Sequence, residues 1–356
     1  MMKGFMNWIN KNLANFGVVS ISCIFGIFCV ELALRIINSS DPWGETYYAN
    51  VLRDIKFTYD VGPLYESDVS SVEYVRNEYG LRDSCGSTSE IDILTVGGST
   101  TDQRYVPTAS TYQAIIEKRL KSLVDGFGRV TNAGIDGHST WGHLFSFKHW
   151  FPLIPDLKPK IVVLYIGVND ANFLRATSPN PGDDLNSAGG MKVYLKNFEL
   201  VKALLPIYRL MRQSKTNESA VYGGHLSRAY TVDDYIINAK NPRTDTLSEK
   251  NKISFQQRME SLLKSIDSLG ATPLCVTQPH RYVIEKDGMI WGVKNVLGEG
   301  FSGVDYDYSI RQLNDVIKRL CGKNTVDLYN HKFADIHFYD GVHTTAAGSE
   351  EIGEVI

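Results

Sequence analysis

The chain has 356 residues, 43% hydrophobic and 22% charged, so it can bury a sizeable core and is not disordered. Its net charge of −3 at pH 7 argues against a nucleic-acid partner, which would want a basic face. Its five cysteines, Cys23, Cys29, Cys85, Cys275 and Cys321, show no CxxC and no regular spacing, so neither a zinc site nor a disulfide framework is indicated, although Cys85 could pair with Cys275 or Cys321.

The first element is apolar. Phe16 to Val30 carries no charge, and "ELALRII" extends the run to Ile37. Residues 17–37 are about the length a helix needs to cross a bilayer core of roughly 30 Å. Lys3 and Lys11 precede the run, while Asp41 and Glu45 follow it. The positive-inside bias then keeps residues 1–16 in the cytoplasm and exports the rest, to the periplasm or the cell exterior. A cleaved signal peptide is the alternative, but "INSSDPW" lacks an A-x-A-like cleavage site. Glu31 is costly in a membrane, and Arg35 stands one helical turn on, where the two can pair. The lipid bilayer is thus an expected partner.

Residues 38–90 are polar and tyrosine-rich and read as a juxtamembrane segment. A strand–helix alternation follows. "IDILTV" (91–96) is a short apolar run ended by Gly97-Gly98, a buried strand. "TYQAIIEKRLKSLV" puts Ile115, Ile116, Leu120 and Leu123 on one helical face. "GRVTNAGI", "KIVVLYIG" (160–167), "TPLCVTQP" (272–279) and "NTVDLY" read as further strands. "FQQRMESLLKSI" and "YSIRQLNDVIKRL" read as helices. Five strands separated mostly by helices imply a parallel sheet covered on both faces. The stretch from about 175 to 252 breaks the rhythm. It is polar, holds the helical island "VYLKNFELVKALLPIYRLM", and reads as an insert of the kind that forms lids or binding surfaces.

Ligands of open parallel sheets bind beyond the carboxyl ends of the strands. Four segments lie there: "GGSTT" with Ser99, "NAGIDGH" with Gly134, Gly137 and His138, "GVND" with Asn169, and "DGVH" with Asp340 and His343. Each fits one part of an acyl-transfer site. A serine hydroxyl needs an adjacent base, which His343 can supply. Asp340, three residues earlier, can orient that imidazole. The Ser99 amide, a glycine amide and the Asn169 side chain can receive a developing oxyanion. Singly these signals are weak. Gly-Gly-Ser-Thr also reads as a turn with a helix N-cap, and a lone "DGVH" as a surface turn. Their order and placement are the specific signal.

In these four blocks the chain resembles the SGNH hydrolase superfamily, also called GDSL-like esterases, over roughly 91–171 and 253–356. The resemblance implies a flavodoxin-like three-layer α/β/α fold with a five-stranded parallel sheet, preceded here by one transmembrane helix. It implies Ser99, Asp340 and His343 as the triad. It implies an oxyanion hole from Ser99, Gly137 (ahead of Gly134) and Asn169. No metal or organic cofactor is implied. "NEYGLRD" (77–83) also looks like a segment that precedes the first block in membrane-anchored members. The match departs at Gly98, where the familiar motif has aspartate, and at Thr100.

The other histidines have lesser readings. His138, His143 and His149 fall on an expected helix at spacings of five and six, which misses the i, i+4 placement of a helical metal pair. His138 adjoins the glycine donor and His280 follows the fourth strand, so both are candidate substrate-binding residues. His337, with Asp335 near, is the rival base. The resulting expectation is a membrane-anchored serine esterase. Its substrate would be a small-molecule or glycan ester, such as the O-acyl (acetyl) groups of an extracytoplasmic glycan or envelope component. An O-acyltransferase using the same triad on a cell-surface polysaccharide is the first alternative. A non-catalytic glycan-binding or assembly protein is the second.

Overall fold

A computed structural model describes residues 2–38, 42–47, 49–62, 64, 65, 69–82, 86–173, 198–201, 204, 235–237, 249–296 and 301–356. The chain divides into two compact units, residues 1–44 with 188–215, and residues 45–187 with 216–356.

In the first unit, helix α1 (Met2–Asn38) contains Val18–Ile37, which is long and apolar enough to cross a membrane, with a mean hydropathy of 2.0. Glu31 is its buried acid. It accepts from Arg35 Nε at 2.8 Å and from the backbone N–H groups of Glu199 and Leu200, each at 3.0 Å. A carboxylate in an apolar setting persists when its lone pairs are filled in this way.

The second unit is built on a five-stranded parallel sheet. In chain order its strands are β3 (Ile91–Gly97), β4 (Arg129–Asn132), β5 (Ile161–Tyr165), β7 (Thr272–Val276) and β10 (Thr325–Val326), and they lie in the order β10-β7-β5-β3-β4. This is the doubly wound, flavodoxin-like arrangement, and its strand order reverses between β3 and β5. All seven residues of β3 are buried, as expected of a strand covered on both faces. Helix α3 (Tyr112–Leu123) packs Ile116 into the core with Ile93, Val130, Val163 and Ile352. Leu123, expected on that apolar face, is 75% exposed at the last position of the helix.

The other main helices are the short α2 (Ser99–Asp102), α4 (Thr140–Phe145), α5 (Val168–Phe173), α6 (Glu249–Ser268), α7 (Gly303–Cys321) and α8 (Ala346–Val355). Ser302 caps α7 reciprocally with Asp305, a capping box. A three-stranded sheet of β6 (Tyr235–Ile237), β9 (Met289–Val293) and β8 (Val283–Lys286) is antiparallel throughout. The insert read at 175–252 lies for the most part outside the described residues.

The tyrosine-rich stretch before the sheet is more than a juxtamembrane leader. It holds an antiparallel hairpin of β1 (Ile55–Asp60) and β2 (Ser71–Arg76), in the same unit as the parallel sheet. In β2, Val72, Tyr74 and Arg76 are buried while Ser71 and Glu73 are exposed, the period-two pattern of a half-buried strand. Tyr59, Tyr74, Tyr105 and Tyr339 share one cluster beneath it.

Cys275 of β7 is joined to Cys321 at the end of α7 by a disulfide, which overturns both pairings considered for Cys85 and the expectation that no disulfide was indicated. Cys85 lies outside the described residues. The bridge closes a long loop, with a sequence separation of 46. Its reduction is expected to destabilise the protein by about 2–4 kcal/mol, measured as a lower denaturant midpoint than that of the oxidised protein.

Candidate active site

The sheet reverses its strand order between β3 and β5, and the segments leaving those two strands carry Ser99 and Asn169. After β3 the chain turns at once into α2. Gly98 is the N-cap, and Gln103 ends the turn in the left-handed region at φ 49°. A Cβ on Gly98 would lie 2.5 Å from Asn169 Nδ2 and 3.1 Å from the His138 carbonyl oxygen. The glycine standing where the familiar motif has aspartate is therefore the residue over which the Asn169 amide rests.

The hydroxyl of Ser99 meets an imidazole from the far end of the chain. His343 Nε2 lies 2.8 Å from Ser99 Oγ, and His343 Nδ1 lies 2.6 Å from Asp340 Oδ2. A carboxylate only accepts, so Nδ1 carries the hydrogen and Nε2 is free to accept from the serine. Asp340 Oδ1 accepts the backbone N–H groups of Val342 at 2.8 Å and His343 at 2.7 Å, a local turn that fixes the carboxylate beneath its own histidine. Tyr339 stacks on the imidazole, with centroids 5.7 Å apart and planes 10° apart. Burial works against the imidazolium, but the Asp340 charge and hydrogen bond outweigh it and hold the His343 pKa above its ordinary value.

Asn169 Nδ2 donates to the His138 carbonyl at 2.8 Å, which uses one of its two hydrogens and fixes the amide plane. Gly137, immediately before, is exposed, with φ +79°, and a Cβ there would meet nothing within 4 Å. By contrast, a Cβ on Gly134 would lie 2.3 Å from the Asp102 backbone nitrogen, so that glycine is packed against α2. Of the two glycines, Gly137 is the one open to a ligand.

Four residues that motif reading left out hold this turn in place. Asp102, 1% exposed, accepts from Tyr74 at 2.7 Å and from Arg76 at 2.6 Å, both on β2. Burial disfavours its charge, but Arg76, Arg104 and Arg82 hold its carboxyl below the ordinary range. Arg76 also donates to the Gly134 carbonyl. Arg82 donates to the carbonyls of Asp102, Gln103 and Val106 at the end of α2. Gln103 reaches Thr344, next to His343 in the chain, and Ser349 of α8, and so ties the serine turn to the histidine loop. The sequence held a signal for one of them. In "NEYGLRD", Asn77 Oδ1 accepts from the N–H groups of Tyr79 and Leu81, and Gly80 takes φ +80°, so the chain is bent to deliver Arg82.

Two expected substrate contacts do not face the site. His138 is 4% exposed with Nε2 on the Ala49 carbonyl at 2.7 Å, and burial lowers its pKa to about 4. It serves Asn169 through its backbone, not its ring. His280 has a side chain 1% exposed, with Nε2 3.1 Å from Asp307 Oδ1, so its ring is engaged by a buried carboxylate. The rival base His337 turns Nδ1 to the Ala334 N–H instead. His138 precedes α4, while His149 lies in a π-turn at Ser146–Trp150, so the three histidines do not share one regular helix. Among the described residues no group of three or more His, Cys, Asp and Glu is placed to hold a metal ion.

Two outcomes are expected from this geometry. Arg76→Leu, which removes the shortest ion pair of the buried Asp102 carboxylate, is expected to cost about 3–5 kcal/mol in denaturant unfolding. Gly98→Ala, which pushes the Asn169 amide aside, is expected to lower ester turnover by about as much as Asn169→Ala, on the order of 10²–10³-fold. The double variant should then be no worse than either single one, as for two changes that remove one interaction.

No curated protein matches the chain. Three similar solved structures are the acetyl xylan esterase AlAXEase (15% identity, TM-score 0.39, 74% of this chain and 96% of that one), a variant acetyl xylan esterase from Geobacillus stearothermophilus (15%, 0.38, 75% and 94%) and a lipase/acylhydrolase from Enterococcus faecalis (15%, 0.39, 74% and 93%). The model of the GDSL-like Lipase/Acylhydrolase family matches residues 95–350, a span that contains Ser99, Asn169, Asp340 and His343. The chain therefore belongs to the GDSL-like lipase/acylhydrolase family and is a serine hydrolase of the SGNH type.

Proposed function

We propose that the protein is an esterase that removes O-acyl groups, acetyl above all, from a glycan or other envelope component outside the cytoplasm, held to the membrane by α1. The observation that carries the reading is the unbroken chain of hydrogen bonds Ser99–His343–Asp340, drawn from segments 244 residues apart. Ser99 Oγ attacks the ester carbonyl carbon while His343 Nε2 takes the hydroxyl proton. Asp340 stabilises the imidazolium that forms. The oxyanion is received by the backbone N–H groups of Ser99 and Gly137 and by the second hydrogen of Asn169 Nδ2. As the intermediate collapses, His343 returns the proton to the departing alcohol, leaving an acyl group on Ser99. Water then attacks with His343 again as base, the acid leaves, and the serine recovers its proton.

Two features support the location. Val18–Ile37 has the length and hydropathy of a membrane span, with lysines before it and acids after it. The Cys275–Cys321 disulfide suits an oxidising compartment.

A fluorophosphonate probe is expected to label the wild-type protein and not Ser99→Ala, with loss of acetate release from acetylated sugars in the same variant. Equal labelling or equal hydrolysis by folded Ser99→Ala would overturn the assignment. The base must be unprotonated, and its pKa lies above the ordinary value. Activity should therefore rise with pH through a midpoint above 6.5. In Asp340→Asn that midpoint should move down and turnover fall on the order of 10⁴-fold. A pH–rate profile of both proteins checks this.

A further inference from the structure

Helix α1 buries the reverse of what a helix in water buries. Along Val18–Ile37 the large apolar side chains, among them Phe25, Phe28 and Ile36, are exposed, and Glu31 is the one buried residue, 5% exposed. Its cover comes from the middle of the chain. Glu31 Oε1 accepts the Glu199 N–H and Oε2 accepts the Leu200 N–H, each at 3.0 Å, and Arg35 Nε donates to Oε1 at 2.8 Å. Both carboxylate oxygens are therefore engaged. Phe198 is not helical, while residues 199–201 and 204 are, so these two N–H groups belong to a first helical turn, where the helix itself offers no acceptor. Residues 188–215 group with residues 1–44 in one compact unit.

The depth of this contact decides what surrounds it. Six residues separate Glu31 from Ile37, the end of the apolar run, so at a rise of about 1.5 Å per residue the carboxylate lies about 9 Å inside it. No water serves a helix start at that depth in lipid, and a chain can enter only where another part of the protein accepts its N–H groups. Glu31 accepts two of them. A helix lying in the interface buries its apolar face about 5–10 Å into the boundary between headgroups and acyl chains, which is the same range.

The covering segment has side chains suited to that surrounding. Phe198 is 37% exposed and Leu204 is 52% exposed, while Leu200 and Val201 are half-buried. The charges are also accounted for. Arg35 pairs with Glu31 and stands one turn nearer the end of the run, half-exposed, where its guanidinium can reach toward the headgroups. Glu199 is half-buried at the first helical position, where the helix dipole favours an acid.

We propose that the chain returns to the bilayer: the helix that starts at residue 199 enters the leaflet at the C-terminal end of α1, docked on α1 through the Glu31 carboxylate, with lipid acyl chains as the partner of Phe198 and Leu204. The proposal rests on the reading of α1 as a membrane span. It gives the acid in that span, costly on an isolated helix, a role as a docking point.

The test places the full chain in phosphatidylcholine nanodiscs at one copy per disc. A nitroxide is attached at the native Cys23 within the span, at Leu204→Cys, or at Leu123→Cys as a water-facing reference. The remaining cysteines outside the Cys275–Cys321 bridge are replaced by serine. Collisions with dissolved oxygen report lipid, and collisions with a water-soluble nickel chelate report water. At Leu204→Cys, oxygen collisions are expected to exceed those at Leu123→Cys and nickel collisions to fall below them. Glu31→Leu and Glu31→Ala, which both remove the acceptor, are expected to raise nickel collisions at position 204 to the reference level while Cys23 stays dry. Nickel access at position 204 equal to the reference in protein that keeps Glu31, with Cys23 dry, would overturn the proposal and leave the span standing. A wet Cys23 would remove the span, and the proposal with it. Protection at position 204 that survives both Glu31 variants would overturn it as well. So would protection seen only in discs holding two copies, which would assign the surface to a second copy of the chain.

Discussion

One buried carboxylate organises the catalytic half of this molecule. Asp102 sits three residues after Ser99, almost wholly out of water, where an unpaired charge would be costly. It remains ionised because Arg76, Arg104 and Arg82 converge on it. That need for positive partners draws a hairpin from an earlier stretch of chain onto the turn that presents the serine. The same arginines reach carbonyls in α2 and in the loop after β4. The serine turn, the Gly134 loop and the hairpin thus share one electrostatic anchor. Such a buried network is a means of specifying geometry more than a source of stability, since apolar replacements of equal volume can serve stability as well.

The candidate site shows the same economy of local and distant contacts. Asp340 and His343 are joined through a three-residue turn, so their geometry needs little from the rest of the fold. Ser99 is brought to that turn by the sheet, which places the ends of β3 and β5 side by side at its reversal point. Gln103 then closes the ring by bonding to residues beyond His343. Tyr339 covers one face of the imidazole, and burial around the ring reinforces its link to the carboxylate.

The two displaced histidines show why motif reading misjudges side-chain direction. His138 and His280 both follow strand ends, where ligand contacts concentrate. Position in a loop does not fix rotamer or burial. Each ring found a buried acceptor first, the Ala49 carbonyl for one and Asp307 for the other. Arg76 is the reverse case. It occupies the inward-facing phase of β2, where alternation predicts an apolar residue, and only the position of Asp102 explains it. Arg82 was half legible, since the Asn77 and Gly80 turn that delivers it can be read locally, while its targets cannot.

The sequence by itself determined the five strands of the parallel sheet, the main helices between them, the apolar N-terminal run and the four strand-end motifs, because each depends on a local periodicity or a short fixed spacing. Tertiary structure alone decided which of those motifs touch, that Gly137 and not Gly134 is open, that Cys275 meets Cys321, and that the early tyrosine-rich stretch is a hairpin bound to Asp102. Those facts depend on contacts between residues tens to hundreds of positions apart. No local pattern encodes them, because the energy that selects them arises only when the sheet has assembled and water has been excluded from between the partners.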